Sequence, residues 1–414
     1  MPNSIRTITI TEFKSIANLT LELGKINVLI GENGAGKSNI LEAIGVLSAA
    51  AAGNTSYSSL KERGVRLSAP EVFKMALRGR RRSPIFKLEA DFAQGLRYHL
   101  TLSPTRGDTG DRIRYWTEEL SQWKKKIASR GARKRMTISD EDGDRVSDIN
   151  EDASVISAAY ALDKISDTNS QLLHVLQEYA IYAPTTPVLR NISTDESAKG
   201  PLGLYGGSLA SALRTFYVPN NTQERYKLIF AMRRLFPWLV YFGQRRPTQN
   251  LVSHHIHPGK TVVGFIDKRM SDAFNYLFAY DVSEGVLYAL FLLVLVLHKG
   301  TPPFFAIDNM DSSLNPRMAS ALLKEVIHFI KREKSPQKQM IFTTHNPNML
   351  NALDLFDDDI RLYVVERSKE DGSTVVRRIN PAAHMTREKW QELAGGNTLA
   401  QLWTSGAMGG LPEI

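Results

Sequence analysis

A glycine-rich octapeptide near the start of the chain has the residue types and spacing of a phosphate-binding loop. Residues 31–38, GENGAGKS, fit the Walker A pattern G-x-x-x-x-G-K-[ST] at every position. In such a loop backbone N–H groups surround the phosphates, Lys37 reaches the β- and γ-phosphates, and the Ser38 hydroxyl coordinates Mg²⁺. The pattern therefore predicts a nucleoside triphosphate site. The residues predicted to bind the nucleotide here are Asn33, Gly34, Ala35, Gly36, Lys37, Ser38 and Asn39.

The sequence on either side of the loop predicts the elements that must position it. Residues 26–30, INVLI, have the composition of a short buried strand, and residues 39–44 start a helix with apolar residues at helical spacing. A helix that begins at the end of the loop directs its N-terminus, the positive end of its dipole, at the phosphates. Strand, loop and helix thus agree with the motif.

Two further apolar strands each end in a side chain suited to the same chemistry. Residues 304–307 run into Asp308, the Walker B arrangement, in which the carboxylate holds Mg²⁺ directly or through water. Residues 340–344 run into His345, whose neutral imidazole can donate a hydrogen bond to a phosphate oxygen. A loop histidine with an ordinary hydrogen bond is the alternative for His345. We therefore predict Ser38 and Asp308 as metal ligands and place His345 among the catalytic residues.

A second helix start could also bind an anion. Ser283, Glu284 and Gly285 precede a strongly apolar helix, although any N-cap looks similar. Their position before Asp308 resembles the signature motif of ABC-type ATPases. In that family the serine and glycine bind the γ-phosphate that the opposite subunit holds. Residues 308–315 resemble Walker B followed by the D-loop, with residues 312–315 at the dimer seam.

The order of these motifs, with Phe13-Lys14-Ser15 ahead of the loop, is similar to the RecF/SMC-like branch of ABC ATPases. This branch includes OLD-type proteins and stand-alone ATPases of bacterial antiphage systems. The resemblance covers residues 1–55 and 260–414. It implies an α/β head with a mixed sheet and an antiparallel subdomain, and ATP with Mg²⁺ as ligands. It also implies a homodimer, or a higher homo-oligomer, with each ATP between Lys37 of one subunit and Ser283 of the other.

The sequence departs from the family at the residue after the Walker B aspartate. ABC-type ATPases usually have a glutamate there that polarises the attacking water, whereas this chain has Asn309. An amide can orient a water but cannot accept its proton, and loss of a general base costs roughly 10²–10⁴ in rate. Three readings follow: hydrolysis is slow and ATP acts as a clamp, Asp311 replaces the base, or Glu284 acts across the dimer seam. We favour slow hydrolysis.

The long segment between Walker A and Walker B predicts an inserted lobe. We assign residues 1–104 and 240–414 to the head and 105–239 to a mainly helical lobe with a basic, partly mobile segment. Strands at 85–92 and 96–102 are expected to extend the antiparallel sheet, and a helix followed by a mobile loop is expected within 105–152. Helical patterns follow at 153–179, 208–216 and 222–239. Heptads are not sustained, so long coiled-coil arms are not expected.

Composition limits the partners. The chain has 414 residues, no cysteine, a net charge of +9 and 43% hydrophobic residues. These values indicate a globular protein without disulfides, and they favour a polyanionic partner. The longest apolar run is about a dozen residues, too short to span a membrane. No secretory signal is evident, so we expect a cytoplasmic protein. The basic clusters at 78–82, 124–126 and 133–135 are either solvated faces or non-specific DNA contacts.

Two other activities are not expected. The histidines of residues 253–257, SHHIH, have no acidic residue or cysteine nearby to complete a metal site, so we interpret them as solvent-facing. OLD-type proteins often carry a TOPRIM nuclease after the ATPase, and too few residues follow His345 to form one. The first hypothesis is therefore an ATPase that senses or clamps nucleic acid and controls a separate effector, a nuclease or toxin, in antiphage defence. The alternatives are a RecF-like repair or recombination ATPase and a nucleotide-gated scaffold with little hydrolysis.

Overall fold

Short β-branched and aromatic runs alternate with apolar or amphipathic helical segments along this chain, and the structure, a computed structural model, folds them into three sheets covered by helices. It describes residues 5–106, 110–132, 134–139, 143–197, 199–247, 260–332 and 337–409. In chain order the strands are β1 Ile5–Phe13, β2 Ile16–Glu22, β3 Ile26–Ile30, β4 Phe86–Phe92, β5 Leu96–Thr105, β6 Arg112–Gln122, β7 Lys125–Arg130, β8 Arg135–Ile138, β9 Arg145–Asp148, β10 Ile181–Tyr182, β11 Leu239–Arg245, β12 Val262–Asp267, β13 Tyr276–Phe278, β14 Phe304–Ile307, β15 Gln339–Thr344, β16 Ile360–Arg367 and β17 Thr374–Ile379.

The helices begin mostly at Ser, Thr, Asn or Gly, the residues that favour N-caps. In chain order the helices are α1 Lys37–Ala51, α2 Tyr57–Lys61, α3 Pro70–Phe73, α4 Val155–Ala161, α5 Asp167–Gln177, α6 Thr186–Leu189, α7 Leu209–Thr215, α8 Thr222–Leu235, α9 Glu284–Leu297, α10 Pro316–Arg332, α11 Arg387–Leu393 and α12 Leu399–Thr404. The helices predicted at 153–179, 208–216 and 222–239 are confirmed as α4 with α5, α7 and α8. None of the helices in the described ranges is long and apolar enough to cross a bilayer.

The central sheet has the strand order β10-β14-β15-β3-β16-β17. Neighbours from β10 to β16 are parallel, and only β17 at the edge is antiparallel. All five residues of β3 are buried, as expected for a parallel strand covered on both faces. Because the carboxyl ends of parallel strands share one edge, the segments after β3, β14 and β15 meet there. The predicted parallel core is confirmed.

An eight-stranded antiparallel sheet, in the order β2-β1-β4-β5-β6-β7-β8-β9, lies beside the central one. The predicted strands β4 and β5 and their place in this sheet are confirmed. The prediction of a helix and a mobile loop within 105–152 is wrong for the strands β6 to β9. Burial largely alternates along β6, with Ile113 and Tyr115 inside and Arg112 and Arg114 on the other face. Because charged residues occupy the exposed face, the alternation of apolar and polar positions that is typical of a strand is weak in the sequence.

Two apolar cores fill the space on the faces of the central sheet. One surrounds α9, whose residues 286–297 are all buried, which is typical of a helix enclosed on every side. The other lies around α1, between the central and antiparallel sheets. Strand β3 contributes to both, since Ile26, Val28 and Ile30 join the first core and Leu29 the second. The nucleotide loop therefore leaves a strand that is fixed on both faces.

The predicted domain division stays a prediction, and the structure adds one fact to it. Strands β5 and β6 pair directly, so the antiparallel sheet continues past residue 105. A separate three-stranded sheet, β11-β12-β13, precedes α9. The histidine segment 253–257 and Arg133 of the basic cluster lie outside the described residues.

Candidate nucleotide site

The Walker A loop passes from β3 to α1 through a backbone that its glycines make possible. Gly34 and Gly36 have φ of +79° and +109°, in the region that side chains rarely adopt. A Cβ on Gly36 would lie 2.0 Å from the Thr374 hydroxyl oxygen, and one on Gly31 would lie 2.0 Å from the Val365 carbonyl oxygen. The loop is thus held closely by β16 and β17, with its N–H groups at the start of α1.

Lys37 lies where the loop closes. Its Nζ donates to the carbonyl oxygens of Gly31 and Glu32, each at 2.8 Å, and lies 3.5 Å from Nδ1 of His345. Burial lowers the pKa of Lys37 to about 8, although the charges of Asp308 and Asp311 act in the opposite direction. A bound triphosphate would supply the negative charge that favours the ammonium form.

The two predicted metal ligands meet from separate elements. The Ser38 hydroxyl donates to Oδ2 of Asp308 at 2.9 Å, and the Thr343 hydroxyl donates to Oδ1 of the same carboxylate at 2.6 Å. Hydroxyl and carboxylate oxygens are the ligands that Mg²⁺ takes beside phosphates, so this pair fits the ion. Thr343 fixes the carboxylate so that Oδ2 faces the loop. Ser38 and Asp308 would hold the ion, which supplies positive charge against the phosphates.

His345 and Asp311 lie together at the same edge. The backbone N–H of His345 donates to Oδ1 of Asp311 at 3.3 Å. Burial lowers the pKa of His345, and the charge of Lys37 lowers it further. The imidazole is therefore neutral near pH 7 and keeps one N–H to donate. The structure brings Lys37, Ser38, Asp308, Asp311 and His345 into one site.

Asn309 is held by its backbone rather than by its side chain. Its φ is +56°, its N–H donates to the Thr343 hydroxyl at 2.7 Å, and its carbonyl accepts from the Tyr288 hydroxyl at 3.1 Å. Asparagine adopts this left-handed conformation at less cost than most residues. The side chain is exposed. Asn309 thus suits the turn at this position, and its amide faces solvent next to Asp308.

The signature residues lie apart from this group. Ser283 is exposed at the start of α9, and a Cβ on Gly285 would lie 3.1 Å from the Ser313 carbonyl oxygen in the predicted D-loop. The Thr186 hydroxyl, just after β10, donates to Oε2 of Glu284 at 2.7 Å. Within the described residues, no hydrogen bond or ion pair joins Ser283 or Gly285 to residues 31–39. Within a single chain, therefore, the structure does not bring the predicted signature residues into contact with the Walker A loop.

Several supporting residues were not found from the sequence. Asn39 Nδ2 donates to Oγ of Ser15 at 2.7 Å, and Oγ of Ser15 shares a 2.7 Å hydrogen bond with Oγ1 of Thr374. The Thr374 hydroxyl also donates to the carbonyl oxygen of Ala35 at 2.9 Å. Ser15 belongs to the Phe13-Lys14-Ser15 motif, but no sequence signal indicates a role for Thr374 or Thr343.

A basic pocket of about 510 Å³ continues from the loop, with which it shares Asn39. Lys14 and Arg66 both pair with the buried Glu42 at its wall. Its lining includes Lys14, Ser15, Asn39, Arg66, Lys74 and Arg367. A nucleotide whose phosphates lie on the loop has room here for its sugar and base.

The basic clusters lie at opposite ends of the antiparallel sheet. Arg82 donates to the Glu71 carbonyl oxygen and Arg106 pairs with its carboxylate at 3.3 Å, beside the pocket of the nucleotide end. The turn before β8, with Lys134, is at this end too. The turn between β6 and β7, which carries Lys124, instead lies beside Arg6 at the start of β1. We call the first group the nucleotide-end basic loops (residues 78–82, 106 and 134–135). Arg82 lines the pocket, and Arg106 pairs with Glu71, which also lines it.

The parallel sheet, the Walker A loop and the Asp308 carboxylate define a P-loop ATPase of the ABC type. Residues 26–351 match the family described as "AAA domain, putative AbiEii toxin, Type IV TA system", and the chain belongs to this family. It therefore has an ATP-binding domain of an ATP-hydrolysing class. No curated protein matches the sequence.

Two solved structures are similar to this chain over most of its length. An SMC head bound to the C-winged helix domain of ScpA is 13% identical, with a TM-score of 0.54 over 92% of this chain and 99% of the other. The SMC head domain from Thermotoga maritima is 13% identical, with a TM-score of 0.44 over 91% of this chain and 98% of the other. The first likeness shows that the chain has the RecF/SMC-like ABC ATPase head fold.

Proposed function

We propose that the protein is an ATP-dependent homodimer that clamps or senses nucleic acid and controls a separate effector in antiphage defence. Two chains would enclose two ATP molecules with Mg²⁺, each between Lys37 of one subunit and Ser283 of the other. Hydrolysis would be slow, and the chain itself would have no nuclease activity. The effector would be a nuclease or toxin that acts in trans.

The observation that carries this proposal is the exposed N-terminus of α9, which no side chain caps. Ser283 is exposed, the N-cap position has no side-chain hydrogen bond, and the apolar helix behind it is fixed in the core. Helix N-termini favour anions through their unpaired N–H groups and the helix dipole. The packing of Gly285 against the predicted D-loop keeps this helix start beside the segment that follows Asp308. A second copy can therefore offer it to a γ-phosphate that the first copy holds.

The nucleic-acid part rests on charge. The nucleotide-end basic loops carry exposed side chains at the same end of the sheet as the ATP site. Contacts of this kind with phosphates are independent of sequence and weaken steeply with salt. Closure of two heads around ATP would bring both sets of loops to one side. ATP would thereby change the affinity for a nucleic-acid chain.

Effector control rests on the comparisons. The family description names a toxin and a toxin–antitoxin system, which supports a role in cell defence. The SMC head of similar fold is bound to a domain of another protein, which supports a partner in trans. Asn309 favours a second candidate, a nucleotide-gated scaffold with little hydrolysis. A RecF-like repair ATPase remains the alternative on the motif order alone.

A complementation experiment tests the composite site. Lys37→Ala and Ser283→Ala each disable every site of their own homodimer, but a mixed dimer keeps one intact Lys37–Ser283 pair. We expect neither variant to form the ATP-dependent dimer alone in light-scattering chromatography, and the mixture to recover part of it. Ser58→Ala, at an exposed serine of α2, is the matched control and should behave as wild type. A mass that ATP never changes, or a mixture that recovers nothing, contradicts the proposal.

A further inference from the structure

The turn between β6 and β7 exposes a large aromatic side chain beside three lysines. Trp123 is 74% exposed at the tip of this hairpin, and Lys124, Lys125 and Lys126 follow it directly. The tip lies at the end of the antiparallel sheet opposite the ATP site, so neither the nucleotide nor the nucleotide-end basic loops account for it.

The backbone of this turn is unfavourable for the residues that occupy it. Gln122 pairs with Lys125, so the loop has two residues, Trp123 and Lys124, with φ of +50° and +68°. Two positive φ values are the type I′ pattern, which strongly favours Asn-Gly. A bulky residue in this region costs stability, and such strain tends to be kept where a side chain has a function. The sequence thus retains Trp123 where asparagine would suit the fold better.

The neighbouring turn supports the indole from one side. The backbone N–H of Trp123 donates to the carbonyl oxygen of Gly95 at 3.0 Å, and a Cβ on Gly95 would lie 2.5 Å from the indole ring. Gln122 Nε2 also donates to the Gln94 carbonyl oxygen at 3.2 Å. The ring therefore lies against the glycine on one side, and most of its surface faces solvent. An indole with one open face is a platform for a flat ligand.

The charge around the platform is positive. Asp91 pairs with Arg97 at 2.5 Å and Glu119 pairs with Lys126 at 2.7 Å. Lys124 and Lys125 are exposed and form no ion pair within the described ranges. Grooves of about 500 Å³ and 810 Å³ flank Trp123, the first beside Lys124 and the second beside Lys125. Asp163 and Asp167 line the larger groove, and they are outnumbered by the lysines and arginines that line the two grooves. A chain that crosses the tip would meet a lysine on either side of the ring.

We propose that this hairpin tip binds single-stranded nucleic acid. One unpaired base would stack on Trp123, and the phosphates on either side of it would contact Lys124 and Lys125. Stacking on aromatic rings together with lysine–phosphate contacts is how sequence-tolerant single-strand binding works. Neither contact reads the 2′-hydroxyl, so DNA and RNA chains bind alike. The site adds a second surface to the nucleic-acid contact proposed above and needs neither ATP nor the nucleotide-end basic loops.

The test uses the full chain without ATP and a fluorescent twelve-nucleotide oligothymidylate. Trp123→Asn should weaken binding roughly tenfold, because it removes the stacking but suits the left-handed backbone. Its melting temperature should equal or exceed that of wild type, so lost binding cannot be assigned to unfolding. Replacing both Lys124 and Lys125 by Gln should reduce the slope of log affinity against log salt by about 1.4, for two phosphate contacts.

The controls separate this site from the other proposals. Trp116→Ala removes a second tryptophan, 48% exposed, from strand β6, which leads into the tip, and should leave binding unchanged. Lys37→Ala should also bind the oligonucleotide as wild type does, so failure of the ATP-dependent dimer would not affect this result. A twelve-nucleotide oligouridylate should bind within a few-fold. Equal binding by Trp123→Asn and wild type overturns the proposal, as does binding of a poly-glutamate peptide where the oligonucleotide does not bind.

Discussion

The proposed slow hydrolysis predicts that replacement of Asn309 by glutamate makes the protein a faster and slightly less stable ATPase. The position follows Asp308 at the nucleotide edge, where a carboxylate could accept the proton of the attacking water. A general base contributes roughly 10²–10⁴ in rate, which corresponds to about 3–5 kcal/mol of the activation barrier. We expect Asn309→Glu to raise the single-turnover rate within this range.

The structure also predicts the cost of this change. Asn309 has φ of +56°, where a residue without the local hydrogen bonds of asparagine costs about 1–2 kcal/mol. The hydrogen bonds with Thr343 and Tyr288 use the Asn309 backbone, so the turn itself should persist. Asn309→Glu should therefore melt at a slightly lower temperature while its rate rises. A higher rate together with a lower melting temperature would show that the gain is catalytic and does not come from a better-folded protein.

The assay follows hydrolysis of radiolabelled ATP with the enzyme in excess. Asn309→Gln is the matched control, since it has the length of glutamate and a similar backbone cost but no carboxylate. It should stay as slow as wild type. Equal rates for the Glu and Gln variants would refute the reasoning. A brisk wild-type rate that collapses in Asp311→Ala would do so too, because Asp311 would then be the base.

Two further predictions test contacts in the site and in the antiparallel sheet. Thr343→Val keeps the side-chain shape but removes the hydroxyl that donates to Asp308. Partners that orient a metal ligand typically contribute 10–100-fold in metal affinity. The Mg²⁺ concentration that gives half-maximal ATP binding, measured by titration, should therefore rise by about this factor. An unchanged concentration argues against the assignment of Asp308 as a metal ligand. Glu118 is fully buried, which raises its pKa to about 7. The folded protein holds this proton while the unfolded chain releases it near pH 4.5, so stability relative to Glu118→Gln should fall by roughly 3 kcal/mol between pH 4.5 and 7. Urea unfolding of both proteins across this range measures it, and parallel pH profiles would contradict it.

The Walker A loop, Asp308 and His345 could be predicted because each follows an apolar strand directly. Parallel strands bring their carboxyl ends to one edge, so local sequence was enough to place these side chains together. Thr343 and Thr374 could not be found in this way. Their roles depend on which strands are neighbours, and a single threonine at the end or start of a strand has no signal of its own.

The prediction of a helix in place of the strands β6 to β9 is wrong for a related reason. Their exposed face carries Arg112, Arg114 and several lysines, so the segment looks polar and helical unless the buried alternate positions are weighted more heavily. The sequence does not distinguish the basic clusters, because the number of residues between them does not show at which end of the sheet each one lies. The pairing of β4, β5, β6 and β7 alone separates Lys124 from Arg82 by the length of the sheet.

The hydrogen bonds that join Ser15, Thr374 and the carbonyl oxygen of Ala35 have a consequence for biosynthesis. Ser15 and Thr374 are 359 positions apart, and β17 starts at Thr374. A growing chain on the ribosome makes its Walker A sequence early but lacks one wall of the loop until residue 374 has left the exit tunnel. The nascent polypeptide therefore cannot complete its nucleotide site before strand β17 has been made.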